Sequence, residues 1–187
     1  MSNARNLANL LGTSTTIPAS SISDLPSSAV LQVVQAQKTD TALATMLAET
    51  DTVLHPDLQV TITPSSTSSK IKLDAQVFGE WNITTAPHNA MFFFYRDSVK
   101  LGHPASGNRL VGVGTLPITY ITNADTTPEF GYFTFLDTPN TTSAITYKIG
   151  VITPYNCGFF INRCDSDADT SQNERGTSFI CATEIAG

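Results

Sequence analysis

The chain has 187 residues, of which 41% are hydrophobic and only 14% are charged, and its net charge is −6 at neutral pH. A chain of this length fits one domain with one core. The acidic balance and the scattered positions of the ten Lys and Arg residues argue against nucleic-acid binding, which needs clustered cations to neutralise phosphates. The sequence also lacks a run of the roughly 20 apolar residues that a membrane span needs, and it does not begin with a secretory signal.

The N-terminal dozen residues, MSNARNLANLLG, predict a short helix. Leu7, Leu10 and Leu11 follow the i, i+3, i+4 spacing of one helix face, and Gly12 suits the position after a helix. A helix this short is marginal in water by itself. We therefore interpret Leu7, Leu10 and Leu11 as a stripe that docks on a partner protein.

Residues 13–28, TSTTIPASSISDLPSS, contain two prolines, no glycine and mostly Ser and Thr. This composition favours an extended segment that contributes little to a core. At about 3.3 Å per residue it spans roughly 50 Å. The sequence thus predicts an anchoring helix and extended arm over residues 1–28 and a globular domain over residues 29–187.

From residue 29 onward, short β-type segments alternate with Pro, Gly, Asn and Asp. Residues 71–77 place four apolar side chains on one face and three polar ones on the other, which is typical of a half-buried strand. Residues 41–47 predict a short helical turn or a loop. Strands are predicted over 30–35, 58–63, 71–77, 90–95, 116–122, 130–136, 145–153, 158–161 and 177–185. The expected architecture is an all-β antiparallel sandwich of the jelly-roll type.

The serine-rich segment LQVTITPSSTSSKIKLDAQV, residues 58–77, is interpreted as a turn between two strands. Pro64 lacks a backbone donor where the first strand should stop, and the hydroxyls of Ser65 to Ser69 can bond to nearby backbone. A catalytic serine would need a base within reach and usually a GxSxG elbow, which the sequence lacks. The segment therefore does not predict a nucleophile.

The sequence offers no set of catalytic, cofactor-binding or metal-binding residues. His55, His88 and His103 lie in HP, PHN and GHP contexts, which indicate loops and share no ligand spacing. We expect a protein that is not an enzyme and has no cofactor or metal. A glycan depolymerase with paired carboxylates from distant strands stays open as an alternative.

The acidic segment 165–176 has aspartates at the first, third and fifth positions of a calcium-loop pattern. Thr170 stands where the loop needs glycine, and Gly176 stands where it needs a bidentate glutamate. The segment is therefore not an EF-hand, and we interpret it as a solvated loop tip. A looser cation site that includes Glu174 remains an alternative.

The three cysteines, Cys157, Cys164 and Cys181, have spacings that match neither zinc sites nor redox CxxC motifs. We expect buried free thiols. A disulfide between Cys157 and Cys164 is the alternative.

The run MFFFY, residues 91–95, is apolar on both faces of a strand. One face can fill the core, whereas leaving the other in water would forgo burial of about 300 Å², or roughly 7 kcal/mol as an upper value. The arm, the segment 100–130 or an identical subunit could cover it. We predict an oligomer interface at Met91, Phe93 and Tyr95. The segments FGYFTFL and CGFFI raise the same question.

Five segments carry a family resemblance: RNLANLLG with the arm that follows it, VLQVVQAQKTDT, VTITPSSTSSKI, FLDTPNTTSAITYKI and GTSFICATEIAG. In this order they resemble virion proteins of tailed bacteriophages, notably small fibre-like and fibre-tip proteins of phages that infect cyanobacteria and other aquatic bacteria. The resemblance covers about half of the chain. It does not extend to the part between Gly79 and Pro128 or to the acidic loop at Asp165.

The resemblance implies a β-rich, homotrimeric virion component that is assembled in the host cytoplasm and has no catalytic residues. Its N-terminal arm would bind other tail or capsid proteins, and its knob would contact the host surface, including a surface glycan. A capsid cement or decoration protein is one alternative. A carbohydrate-binding module that uses Trp81 or a tyrosine is another, although Trp81 is expected in the core.

Overall fold

The structure, a computed structural model, describes residues 26, 28–82, 89–117 and 125–187. The predicted helix with Leu7, Leu10 and Leu11, most of the predicted strand 116–122, and His88 lie outside these residues. In the part of the chain that is described, no helix has the length and hydropathy needed to cross a membrane.

The described residues form eleven β-strands. Their bounds are β1 Val30–Lys38, β2 Ala42–Met46, β3 Thr52–Val53, β4 Gln59–Ile62, β5 Lys70–Trp81, β6 Met91–Arg96, β7 Val99–Leu101, β8 Glu129–Asp137, β9 Ile145–Ile152, β10 Cys157–Ile161 and β11 Ser178–Ile185. All the pairings between these strands are antiparallel.

The strands make two sheets, which we call sheet A (β1, β2, β5, β8, β10 and β11) and sheet B (β3, β4, β6, β7 and β9). In sheet A, Gly79 of β5 pairs with Glu129 of β8 on one side and with Ile161 of β10 on the other. Strands β10 and β11 therefore lie end to end on the same side of β5.

Three pairs, β1–β2, β3–β4 and β10–β11, are thus single long strands that are interrupted. When each interrupted pair is counted as one strand, the chain has eight strands, numbered here in chain order. Their spatial order is first, eighth, third and sixth across sheet A, and second, seventh, fourth and fifth across sheet B. Two sheets connected in this way form a double Greek key, which is the jelly-roll arrangement. The predicted all-β antiparallel sandwich is confirmed.

The alternation predicted for residues 71–77 is confirmed within the longer strand β5. Ile71, Leu73, Ala75 and Val77 face the core and are at most 1% exposed, whereas Lys72 on the opposite face is exposed. Apolar side chains from the inner faces of both sheets fill the space between them. This arrangement removes apolar surface from water, and it fixes the register because a slip of one residue would reverse the two faces.

Trp81 lies in this core and is only 5% exposed. Its ring centroid is 4.8 Å from that of Phe159 and 6.2 Å from that of Phe92. The expectation that Trp81 is a core residue is confirmed.

Residues 42–46 are a strand, and the prediction of a helical turn or loop there was wrong. β2 pairs with β10, and Ala44 lies opposite Phe159. Because this partner is more than 100 residues away, local sequence preference could not reveal the pairing. The short strand β3 was missed for the same reason, since it pairs with β9. The short strand β7 was also missed, although it pairs with the preceding strand β6.

Asn162 lies directly after β10, where the interruption between β10 and β11 begins. Its backbone has a φ of 63°, a left-handed conformation that asparagine tolerates better than most residues. Its side-chain amide donates hydrogen bonds to the carbonyl oxygens of Lys38 (2.9 Å) and Asp40 (2.8 Å), and its amide oxygen accepts one from Ser178. One buried side chain therefore joins the breaks in two neighbouring strands.

The serine-rich segment is a turn, as predicted. Strand β4 ends at Ile62 and β5 begins at Lys70, and the backbone N–H of Ser69 donates to the carbonyl of Ser66 between them. Gly187 lies beside this turn, because the hydroxyl of Ser68 donates to its carbonyl oxygen.

Candidate interaction surface

The face of Met91, Phe93 and Tyr95 is largely covered within the chain. Phe93 is 1% exposed, and its ring lies against the backbone of Gly150, where an added Cβ would be 2.3 Å from a ring carbon. The Lys100 Nζ lies 4.1 Å from the centroid of the Phe93 ring, and the Tyr95 ring packs edge-on at 5.0 Å. Of the three covers that the sequence left open, the segment 100–130 supplies the one over Phe93, because Lys100 belongs to it.

Two features of the same chain provide this cover. Lys100 is held over Phe93 by an ion pair with Asp51 (2.6 Å). The segment after β7 passes close to Met91, since a Cβ on Gly112 would lie 3.3 Å from the Cβ of Met91. Met91 and Tyr95 remain half-buried, and an oligomer interface at these residues stays a prediction.

The segment CGFFI is also covered within the chain. Phe159 is fully buried in the core, and Phe160 on the opposite face is 9% exposed. The guanidinium carbon of Arg163 lies 3.9 Å from the centroid of the Phe160 ring. The guanidinium therefore covers the ring of Phe160.

Unlike MFFFY and CGFFI, the segment FGYFTFL leaves large apolar side chains exposed to water. On β8, Phe130 is 57% exposed, Tyr132 is 55% exposed and Leu136 is 52% exposed. They alternate with Phe133, which is 6% exposed on the core side. These three residues share the side of sheet A that points away from the core, which we call the outer face of sheet A.

The register of sheet A shows which residues surround them. Across from β8, Phe78 pairs with Phe130, Gln76 with Tyr132 and Lys72 with Leu136. From β11, Phe179 pairs with Gln76, so it lies on the same face, with its ring centroid 6.5 Å from that of Tyr132. The outer face therefore carries aromatic and aliphatic side chains from three neighbouring strands, with polar residues of β5 between them.

A polar network lies in the middle of this face. The Tyr132 hydroxyl donates to Oδ1 of Asp74 at 2.6 Å, and the Lys72 Nζ donates to both carboxylate oxygens at 2.8 and 2.6 Å. Burial opposes the charge of Asp74, but the bonds from Lys72 and Tyr132 outweigh burial and lower the pKa of Asp74. The bond to Asp74 raises the pKa of the Tyr132 hydroxyl. The polar groups here are therefore already paired within the chain.

Strand β8 is an edge strand in the described part of the chain, where it pairs with β5 alone. It contains no proline and no lysine, the residues that commonly protect a sheet edge. Its outward side chains are instead Phe130, Tyr132, Thr134 and Leu136. An edge of this composition favours contact with another protein surface.

In the acidic segment 165–176, the carboxylates of Asp167 and Glu174 contact different groups of the chain. Asp167 pairs with Arg175, and the carboxylate of Glu174 lies 3.5 Å from the sulfur of Cys164. Burial and the nearby charges of Asp125 and Glu80 raise the pKa of Asp165. Among the residues described, no three His, Cys, Asp or Glu side chains are arranged to hold a metal ion, so the looser cation site has no structural support.

The three cysteines are free thiols, as predicted, and the alternative Cys157–Cys164 disulfide was wrong. The expected burial holds for Cys164 and was wrong for Cys157 and Cys181. Cys164 is buried, and burial raises its pKa to about 11. Cys157 is half-buried, and burial raises its pKa as well. Cys181 lies on the outer face of sheet A, opposite Asp74.

The two described histidines lie in loops, as predicted. The Nδ1 of His55 accepts a bond from the backbone N–H of Asp57, and the Nδ1 of His103 is 2.7 Å from the carbonyl oxygen of Pro104. Both contacts are local. Neither histidine belongs to the outer face of sheet A.

No protein-family model matches this chain, and no curated protein is significantly similar to it in sequence. The outer face of sheet A is therefore interpreted from its own geometry and chemistry.

Proposed function

We propose that this chain is a non-enzymatic structural protein of a tailed-phage virion, an oligomeric short fibre or knob that its N-terminal arm anchors to the particle. The sequence resemblance described above is one support for this proposal. The second support is the position at which the arm joins the sandwich.

Both ends of the domain meet at one end of the sandwich. The backbone N–H of Ser28 donates to the carbonyl of Ala186 at 2.9 Å, and the N–H of Ala186 donates to the carbonyl of Ala29 at 2.8 Å. The chain that precedes Ser28 therefore joins the domain beside its last strand. We call this end the anchored end.

At the opposite end of the sandwich, which we call the free end, four connections join the ends of described strands. Strand β5 runs 12 residues from Lys70 at the anchored end to Trp81 at the free end, about 40 Å at the rise of a strand. The connections β2–β3, β5–β6, β7–β8 and β9–β10 join strands at the free end. An anchor at one end and loops at the other is the arrangement that a surface-contacting knob requires.

A carbohydrate-binding module is the second candidate, and the exposed rings of Phe130 and Tyr132 favour it. Sugar rings commonly stack on exposed aromatic side chains, whereas the buried Trp81 cannot serve this purpose. Titration with host-surface polysaccharide and a Tyr132→Ala variant would test this candidate.

The anchor is tested by expressing residues 28–187 during phage assembly, beside the full-length chain. We expect the truncated chain to fold, because Ser28 and Ala29 keep their bonds to Ala186, and to be missing from purified particles. Immunoblots of the particles measure incorporation, and circular dichroism of the purified protein measures folding. Equal incorporation of both chains would contradict the anchoring role, and absence of the full-length chain from particles would contradict the virion assignment.

A further inference from the structure

We infer that the outer face of sheet A, centred on Phe130, Tyr132 and Leu136 of β8, is the surface by which one copy of this chain binds a second copy. This inference rests on the oligomeric part of the proposed function and names its contact surface. It places the contact on sheet A, whereas the sequence placed it at Met91, Phe93 and Tyr95 on sheet B.

The apolar area of this face is comparable to the largest patch that a typical monomer exposes, and such patches are often functional. An aromatic side chain has about 150–250 Å² to bury, and Phe130, Tyr132 and Leu136 are each more than half exposed. Together they present about 300 Å², which is already the size of the largest apolar patch on a typical monomer. Val33 of β1, 57% exposed, lies on the same side of the sheet, with Thr183 and Lys72 between it and Leu136.

The charge of the face suits contact between identical chains. The whole chain carries a net charge of −6, so two copies repel each other over most of their surfaces. The exposed charges of this face on β5, β8 and β11 are Lys70 and Lys72, both positive, and Lys72 is paired with Asp74, which is buried. Copies can therefore approach through this face without the repulsion that the rest of the surface imposes.

The hydrogen bonding of the face favours a protein partner over a sugar. A sugar site needs polar groups that are free to bond the hydroxyls of the ligand. Here Asp74 accepts from Lys72 and Tyr132, and the Gln76 amide donates to the carbonyl of Thr177 at 3.0 Å. A second copy of the chain does not need free polar groups on this face. The core of a protein interface buries apolar side chains, and the polar groups beside them here are already paired.

The test is analytical ultracentrifugation of the full-length chain and of three single variants at micromolar concentration. Phe130→Glu and Leu136→Glu each put a charge into the face, and each should raise the dissociation constant of the oligomer about tenfold or more. Leu47→Glu is the matched control, since Leu47 is 62% exposed but lies at the free end, away from this face. It should leave the association unchanged.

Two outcomes of the sedimentation would overturn the inference. One is a wild-type chain that stays monomeric. The other is an oligomer that survives both face variants while their circular dichroism shows a native fold.

A further measurement uses only the wild-type chain, so its result does not depend on whether the variants fold. Cys181 lies on the face between Gln35 of β1 and Asp74 of β5, so a second copy would cover it. Alkylation of Cys181, located by peptide mass spectrometry, should slow as the concentration rises through the association range. A rate that does not depend on concentration would contradict the inference.

The same variants separate this inference from its competitors. If the wild type is monomeric and binds polysaccharide, and Phe130→Glu abolishes that binding, the face belongs to a glycan and the inference is wrong. If the face variants dissociate but the full-length chain never enters particles, the contact surface stands and the virion function fails.

Discussion

Ser65 donates two hydrogen bonds to the same carboxylate oxygen of Glu184, one from its backbone N–H at 2.7 Å and one from its hydroxyl at 2.6 Å. The Ser69 hydroxyl donates a third bond to this oxygen at 2.7 Å, and the Gln32 amide donates to the other oxygen at 2.6 Å. Glu184 is fully buried. Four donors thus replace the water that this charge loses, and they join the turn before β5 to the last strand.

We expect Glu184→Gln to lower the free energy of unfolding by about 1–3 kcal/mol, because a charged acceptor is lost and several buried donors keep only a weaker partner. Urea denaturation monitored by Trp81 fluorescence measures the change. Glu174→Gln is the control, since Glu174 is exposed in a loop, and it should change stability by less than about 0.5 kcal/mol. Equal effects of the two substitutions would contradict a structural role for the Glu184 network.

The same carboxylate should make stability depend on pH. Burial opposes the charge of Glu184, but bonds from Ser65, Ser69 and Gln32 outweigh it and lower the pKa below the ordinary value of 4.5. The stabilisation is therefore complete above pH 4.5 and is lost as pH falls through the lower pKa of the folded state. The difference in unfolding free energy between wild type and Glu184→Gln should shrink in acid.

This difference is more informative than the wild-type curve alone. The pKa of Asp74 is lowered in the same direction, whereas that of Asp165 is raised and acts in the opposite one. Both remain in the Gln variant and cancel in the comparison. A difference that stays constant from neutral pH into the acid range would show that the charge of Glu184 contributes nothing.

Gly150→Ala should destabilise the chain by displacing the ring that Gly150 accommodates. The added Cβ would lie 2.3 and 2.6 Å from two ring carbons of Phe93, closer than such atoms can approach. We expect a loss of about 1–3 kcal/mol in unfolding free energy, as for other overpacked sites. The ring would also lose its contacts with Lys100 and Tyr95.

A second substitution tests the cause. Phe93→Leu removes the part of the ring that clashes, so the double variant should be more stable than the sum of the single effects predicts. Strictly additive losses would mean that Gly150 is needed for a reason other than Phe93.

Cys164 should resist alkylation in the folded chain. It is 1% exposed and burial raises its pKa to about 11, so at pH 8 about one molecule in a thousand carries the reactive thiolate. Iodoacetamide should label Cys164 more slowly than the other two cysteines in the folded chain, and at a comparable rate after unfolding in urea. Peptide mass spectrometry measures the labelling of each cysteine. Rapid labelling of Cys164 in the native chain would contradict its burial.

The aromatic strands show where reasoning from the sequence succeeds and where it stops. MFFFY and FGYFTFL both carry large apolar residues on two faces, and the pattern alone treats them alike. In the structure, a lysine 49 residues after its ion-pair partner Asp51 covers Phe93, whereas no comparable side chain covers Phe130 or Tyr132 among the described residues. We therefore infer the candidate interaction surface on β8, whereas the sequence pattern predicted it on β6.

The sequence by itself determined most of the long strands, the serine-rich turn and the inward residues of β5, because these follow from alternation, proline and short-range bonding along the chain. Only the tertiary structure decided the partners of Glu184, the pairing of β2 with β10 and which aromatic face stays in water. Each of these depends on side chains brought together from positions far apart in the chain, and one-dimensional periodicity carries no information about such distances.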